Sequence, residues 1–553
     1  MRLFKTHNIR RVEQLDGSWE LFTLDDNGNR TGSYSAIVPA CWESIPALAT
    51  YRGKAVYSRK ISVIKESNLR FVFGGVSHTA DIYLDGKHLA HHYNAYTGFA
   101  AKATAVSAGE HILEVFVDNS YGEHSSLHIP NDYNTYGGII RPVSLEYIED
   151  SYISSLKLTP KKQGESWKLE AQINIQSSVE CTARLNLCFN GEEINAGEHS
   201  LQIGNNNYPI TVDAENIQEW SPDLPKLYEV TAKLIINGDV ADDLIERFGF
   251  REITWEQGKL QLNGQEIFLK GFNRHEDLGG FGCAIPVAAM ARDLDLIAGC
   301  GANSVRTAHY PNDERFLDLC DERGILVWEE SHARGLTEEK MRNPNFRQQS
   351  IDCIEEMLNQ HYNHPSIIIW GILNECASDT DYGRECYAQQ LSLIDDHDKS
   401  RPKTHASNRH FWDKTLDMVD ILSFNIYPGW YNDDDPAKLC KSVYDYAVSA
   451  GGKGKPFIVS EFGGAAIYGF HSPERFKWSE ERQCDILESC ITRLRDLPFV
   501  SGLFIWQFSD CRVSEQDCDF TRPMIQNNKG VVDLYRRPKL AYYKVKELFS
   551  EKS

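Results

Sequence analysis

Residues 366–375 read SIIIWGILNE, apolar and β-branched for most of their length and ending in Asn374 and Glu375. A short continuous apolar run of this kind predicts a strand buried on both faces, as in a parallel sheet. Residues 456–463, PFIVSEFG, repeat the design, with Glu461 near the C-terminal end. In a (β/α)8 barrel the C-terminal ends of the strands carry the chemistry. Two carboxylates delivered to that face are the minimal set for cleaving a glycosidic bond. Either glutamate alone reads equally well as a surface residue at the start of a loop, since charged side chains are mostly exposed. The matching of the two strands, with Asn374 beside one of the acids, favours Glu375 and Glu461 as a working pair.

Working outward, the C-terminal part of the chain repeats this strand–helix alternation. From residue 250, eight strands are predicted: EIFLKGFN from Glu266, ANSVRTA from Ala302, GILVWEE from Gly324, the Ser366 stretch, KTHASN from Lys403, ILSFNIY from Ile421, the Pro456 stretch and VSGLFIWQF from Val500. Segments with helical spacing, such as AMARDLDLIAGC and SEERQCDILESCITRL, fall between most of them. Residues 250–553 are a normal length for one (β/α)8 TIM barrel with insertions. On this count Glu375 ends the fourth strand and Glu461 the seventh.

Upstream the period becomes two. Residues 1–148 contain short alternating segments (LRFVFGG, ADIYLDGKHL, HILEVFVDN, PVSLEYIE) separated by Gly, Asp and Asn. They predict a jelly-roll β-sandwich, with Asp85 and Gly86 forming a hairpin turn and Trp19 and Trp42 in the core. Residues 149–249 predict an immunoglobulin-like β-sandwich, with strands recurring about every ten residues. That block carries no group of titratable residues that reads as a site.

A chain of 553 residues is too long for one core. Its formal net charge of −21 argues against nucleic acid or an anionic membrane as partner, because nothing would neutralise phosphates. The first residues, MRLFKTHNIRRVEQLDG, lack the apolar stretch of a secretory signal, and no run of about 18 apolar residues is present to span a membrane. The 14 cysteines form no CxxC pair and no Cys/His group at zinc spacing, so they read as free thiols of a cytoplasmic protein without disulfides or structural metal.

Polar and aromatic residues at the other strand ends suit a sugar pocket. Strand one ends in Asn273, Arg274, His275 and Glu276, and strand two leads to Arg306, His309 and Tyr310. Strand six ends at Tyr427, followed by Trp430 and Tyr431, and strand eight carries Trp506, Gln507 and Asp510. Aromatic rings stack on the C–H faces of a pyranose while their polar tips reach hydroxyls. The acid of the pair must be protonated near neutral pH, which burial and a second carboxylate both favour. The nucleophile must stay ionised, and Arg306 and Tyr427 are the candidates to serve Glu461 in that way. Asn374 is placed to bond a sugar 2-hydroxyl. Such a hydrolysis requires no metal or cofactor.

The segments GFNRHED (271–277), GANSVRTAHYP (301–311), WGILNE (370–375) and SEFGG (460–464) together resemble glycoside hydrolase family 2, and the resemblance runs the length of the chain. It implies Glu375 as acid/base, Glu461 as nucleophile, retention of anomeric configuration and carboxylates roughly 5 to 5.5 Å apart. Within the family the chain looks like the β-glucuronidases of gut bacteria. QNNKG at 526–530 matches their Asn-x-Lys motif, which makes Asn527 and Lys529 the expected grip on a sugar carboxylate. A buried uronate needs a cation and N–H donors to offset its desolvation.

By the same resemblance Asp132 reaches from the first domain to sugar hydroxyls, Tyr427, Tyr431 and Trp506 match pocket positions, and Arg522 is the candidate for an arginine the family places at a slightly different offset. The short segment after strand three implies an open mouth that admits long aglycones. A homodimer or homotetramer is expected on resemblance alone. Some relatives bind a flavin nucleotide at the surface, and the absence of a Gly-rich phosphate loop does not decide that binding here.

Hydrolysis of β-D-glucuronides is the first reading. A β-galacturonidase, or an enzyme accepting both uronates, stays open, because only the 4-hydroxyl differs and the sequence does not show which hydrogen bonds read it. Lys529 disfavours a β-galactosidase. Retention of both glutamates and Asn374 disfavours a non-catalytic carbohydrate-binding protein on the same fold.

Overall fold

Alternation of buried and exposed residues builds two β-sandwiches ahead of the barrel; the computed structural model describes residues 2–515 and 521–550. In the first sandwich a four-stranded sheet (in spatial order Arg11–Gln14, Val143–Ile148, Ser67–Phe73, Phe99–Val106) accompanies a six-stranded one (Arg30–Val38, Gly17–Leu24, Lys54–Val63, Gly109–Asp118, Thr79–Leu84, Lys87–Tyr93). Leu69, Phe71 and Phe73 of one sheet share a core with Ile82, Val115 and Trp19 of the other, and Trp42 joins them. Asp85 and Gly86 have φ of 50° and 79°. Positive φ at both central residues is what a two-residue hairpin turn needs to follow the twist of its strands.

The second sandwich sets three strands (Ser151–Gln163, Ser166–Ser177, Gly204–Ala214) against four (Glu192–Leu201, Cys181–Phe189, Tyr228–Ile236, Asp239–Phe248) around Leu169, Ile173, Leu185 and Leu234. Asp242 and Asp243, which the strand pattern does not single out, are buried against the N-terminal segment. Arg10 donates to Asp242 at 2.6 and 3.1 Å, and the backbone N–H groups of Asn8 and Ile9 donate to Asp243 at 2.7 and 2.9 Å. This acidic pair is therefore a structural anchor.

The barrel strands are β1 Leu269–Arg274, β2 Ser304–Thr307, β3 Leu326–Glu330, β4 Ile367–Ile372, β5 Lys403–His405, β6 Leu422–Asn425, β7 Phe457–Phe462 and β8 Val500–Ile505. Their spatial order is β5-β4-β3-β2-β1-β8-β7-β6, and a parallel bridge between Ser407 and Phe424 closes the ring between β5 and β6. All eight expected strands are present. Every residue of β4 is buried. Ile367, Trp370 and Ile372 join the core shared with the outer helices, whereas Ile368 and Ile369 join Trp328, Ile458 and Phe504 in a second cluster with Leu260 and Leu262. Gly371 is required by this packing, since a Cβ there would stand 2.2 Å from Trp328 Nε1.

The first sandwich is docked on the barrel through polar contacts at the strand ends. Buried Arg141 donates to Glu276 Oε2 at 2.8 Å, to the Pro311 carbonyl at 2.8 Å and to the Tyr96 carbonyl at 2.6 Å. The Tyr96 and Tyr310 rings stack with centroids 3.8 Å apart. Among the described residues no helix is long and apolar enough to cross a membrane. Removing one partner of a buried ion pair leaves an uncompensated charge. Arg141→Met is thus expected to cost about 3–5 kcal/mol, read as a lowered midpoint in calorimetry.

Candidate active site

The chain beyond β4 does not continue as a strand. Leu373 and Glu375 have φ of 37° and 53°, a left-handed conformation that costs a non-glycine residue on the order of 1–3 kcal/mol and gathers at functional sites. Two backbone bonds hold the turn, from the Asn374 N–H to the Ala333 carbonyl at 3.0 Å and from the Glu375 N–H to the Ala406 carbonyl at 2.9 Å. Glu461 stands at the C-terminal end of β7, next to its last residue Phe462, as expected. Glu375 lies three residues past the end of β4 at Ile372, so the expectation that it ends its strand is corrected.

Arg306, at the end of β2, is fully buried and organises the floor of the site. It donates to Glu330 at 2.7 and 3.0 Å, to Asn273 Oδ1 at 2.8 Å, to Glu461 Oε1 at 2.9 Å and to Asn374 Oδ1 at 2.8 Å. The Tyr427 hydroxyl donates to Glu461 Oε2 at 2.6 Å. Both residues expected to serve Glu461 do so. Asn374 Nδ2 is buried with no hydrogen-bond partner among the described residues, which leaves it as a donor for a sugar hydroxyl.

Burial pushes the Glu461 carboxyl up, and the charge of Glu375 adds to this. Arg306 and Tyr427 pull the other way, and the balance stands at about 7. Glu461 is only 3% exposed and shares its guanidinium with Glu330. Glu375 is more open. Its Oε1 accepts from Asn425 Nδ2 at 2.8 Å, and its Oε2 lies 3.7 Å from Arg334 Nη2.

The second half of the site gathers around Asp132, which the first sandwich sends across the barrel mouth. Arg522 grips both its oxygens, with Nη2 at 2.6 Å, and Asn527 Nδ2 donates to it at 3.0 Å. Burial works against the charge of Asp132, but the Arg522 hydrogen bond and the charges of Arg334, Arg522 and Lys529 hold its carboxyl below the usual range. One Asn527 N–H is thus committed to Asp132 here, rather than free for a substrate carboxylate. Lys529 Nζ donates to the Tyr431 hydroxyl at 3.1 Å and lies 5.3–5.8 Å from the ring centroids of Tyr427, Trp430 and Tyr431.

Trp506 is buried and stacks on His309 with centroids 5.0 Å apart, while His275 meets it edge-on at 5.4 Å. Burial and Arg306 hold His309 well below the usual imidazole range, and burial and His309 do the same for His275, so both are neutral. Three residues noted at strand ends serve elsewhere. Arg274 pairs with Asp293 and Asn312, Glu276 with Arg141, and Asp510 with Lys539 and the Gly530 N–H, where it pins the turn carrying Lys529. Two residues escaped the sequence reading. Asn425 ends β6, and its position alone could have marked it. Arg334 sits in the irregular segment after β3, where the sequence offers no signal.

Models of glycosyl hydrolases family 2 match three consecutive parts of the chain: the sugar-binding domain over residues 17–148, a second family domain over 151–251 and the TIM-barrel domain over 253–552. The chain belongs to glycosyl hydrolase family 2. It is a glycoside hydrolase, and the glutamates, Asn374 and Arg306 sit at the end of the barrel where such enzymes act. It is similar to a solved family 2 β-galacturonidase from Eisenbergiella tayi bound to galacturonate, with 45% identity and a TM-score of 0.96 over 100% of this chain and 99% of that one. A putative β-glucuronidase of Formosa agariphila is 29% identical over 98% of this chain and 71% of its own length. A β-glucuronidase of Paenibacillus borealis is 27% identical over 96% of both.

With Glu461 as the expected nucleophile, its protonation removes the attacking charge, so kcat/KM should fall as pH drops through an apparent value of about 7, a property of the coupled acids rather than of one group. Glu375→Gln removes a negative neighbour. On an aryl glycoside with an activated leaving group, that variant should show the acidic limb displaced to lower pH.

Proposed function

We propose that this family 2 enzyme is a retaining, exo-acting β-D-uronidase. The observation that carries the reading is Lys529. Its side chain is 3% exposed, and its ammonium makes no ion pair among the described residues, only a bond to a phenol hydroxyl. A buried cation is costly, and Asp132, the carboxylate on which its charge acts, is already gripped by Arg522 and bonded by Asn527. A sugar carboxylate delivered between Lys529 and Asn527 offsets that cost, and a neutral hydroxymethyl group does not.

The chemistry follows from the placement of the acids. Glu461, deprotonated and steered by Arg306 and Tyr427, attacks the anomeric carbon. The bond to the aglycone oxygen breaks as Glu375 passes its proton to that oxygen. Glu375, now a carboxylate, takes a proton from water, which attacks the same carbon and releases Glu461. Two inversions give net retention. The free N–H of Asn374 meets the 2-hydroxyl, a contact that tightens as charge develops at the ring.

Between the two uronates, the 45% identity to the β-galacturonidase over the full chain, against 27–29% to the β-glucuronidases, favours the galacturonide. The glucuronide remains the second reading, supported by those relatives. Aryl β-galacturonide, β-glucuronide and β-galactoside compared by kcat/KM test the choice: the galacturonide is expected first and the galactoside last. Lys529→Ala should lower kcat/KM on either uronide by about 10²- to 10³-fold while changing the galactoside value little. Equal losses on charged and neutral sugars would remove the uronate assignment.

A further inference from the structure

The acid/base protonates the glycosidic oxygen, so the aglycone must leave across Glu375, on the side of the loops after β4 and β5. The loop after β5 carries Phe411 and Trp412, which are 40% and 67% exposed. Large exposed aromatics are costly on a surface without a partner. These two are not on a loose loop. Residues 408–413 form a single turn, with the Trp412 and Asp413 N–H groups both bonded to the Arg409 carbonyl at 3.2 and 3.3 Å. Asp413 is buried and accepts from Ser378, Ser407 and Thr415 hydroxyls, each at 2.6 Å. Arg409 Nε donates to Asp379 Oδ1 at 3.1 Å, which ties the turn to the loop that holds Glu375. His410 Nε2 donates to the Asn425 carbonyl at 2.7 Å, and the Asn425 side chain holds Glu375.

We propose that this turn is the aglycone platform of the uronidase and that its occupant is a pyranose, so that the preferred substrate is a uronosyl oligosaccharide. The inference rests on the uronidase reading above. The turn that carries the Trp412 indole and the Phe411 phenyl is bonded through Arg409 to the loop of Glu375 and through His410 to Asn425, and such rings stack on the C–H face of a sugar. The surroundings select a sugar over a plain hydrocarbon aglycone. Asn408 Oδ1, in the same turn, is an acceptor buried without a partner among the described residues, and Arg409 of the turn pairs with Asp379. These groups suit hydroxyls and have nothing to bond on an alkyl chain.

The test compares the methyl β-uronide with a disaccharide carrying the same uronate on a neutral pyranose, using whichever epimer the wild type prefers. Trp412→Ala should lower kcat/KM on the disaccharide about tenfold, while the methyl glycoside, which ends short of the turn, stays within about twofold. Because Trp412 is exposed, the variant keeps its fold, and an unchanged calorimetric midpoint confirms that. Equal effects on both substrates, or no effect on either, overturn the platform while leaving the uronidase reading intact. A loss confined to aryl uronides overturns the sugar as occupant. A change in sedimentation of Trp412→Ala shows that a second copy covers the turn and also overturns it. A wild type inert on both uronides defeats the uronidase reading and this proposal with it.

Discussion

The site depends on a single guanidinium. Arg306 has five N–H donors in a fixed plane, and each has an acceptor: two on Glu330 and one each on Asn273, Glu461 and Asn374. These partners come from β1, β3, β7 and the turn after β4, so one side chain ties much of the ring together at its working end. The same bonds set the chemistry. Arg306 occupies the Asn374 side-chain oxygen while the amide N–H stays without a partner among the described residues, and it offers Glu461 only part of its charge because Glu330 takes two of its bonds. A lysine, with a point charge and no planar fork, could not hold this arrangement.

Around that floor the enzyme concentrates positive charge against its overall balance. The chain carries a formal −21, yet Arg334, Arg522 and Lys529 converge on Asp132 and the barrel mouth. A local field of this kind draws an anionic sugar even when the whole molecule repels it. The site is assembled across a domain boundary, since Asp132 belongs to the first sandwich and its two closest partners follow β8. Docking of that sandwich, through Arg141 and the Tyr96–Tyr310 stack, is therefore part of building the pocket. The second sandwich contributes its anchor at Asp242 and Asp243 and none of the site residues described above.

The architecture was legible because each level of pattern agreed with the next. Period-two alternation in 1–148 and 149–249, and unbroken apolar runs such as SIIIW, can be satisfied only by half-buried and fully buried strands respectively. The carboxylate pair, Arg306 and Tyr427 were legible because strand ends are positions, and positions can be counted, whereas Lys529 was legible only through the resemblance of QNNKG to a family motif. What escaped depends on contacts rather than on order. Arg334 lies in a segment without regular structure, and only the fold brings its guanidinium to Glu375. Arg274, Glu276 and Asp510 sit at strand ends yet face Asp293, Arg141 and Lys539, and no spacing reveals that. The raised proton affinity of Glu461 also depends on burial depth, which a sequence does not record.

In the proposed mechanism Glu461 and Glu375 act as nucleophile and acid/base on one anomeric carbon of a uronide. Proton NMR during hydrolysis of an aryl β-uronide tests it most directly, because the anomeric signal of the first product appears before mutarotation. The β-uronic acid is expected first, with the α-anomer growing in later. An α-anomer as first product would mean inversion and would contradict it.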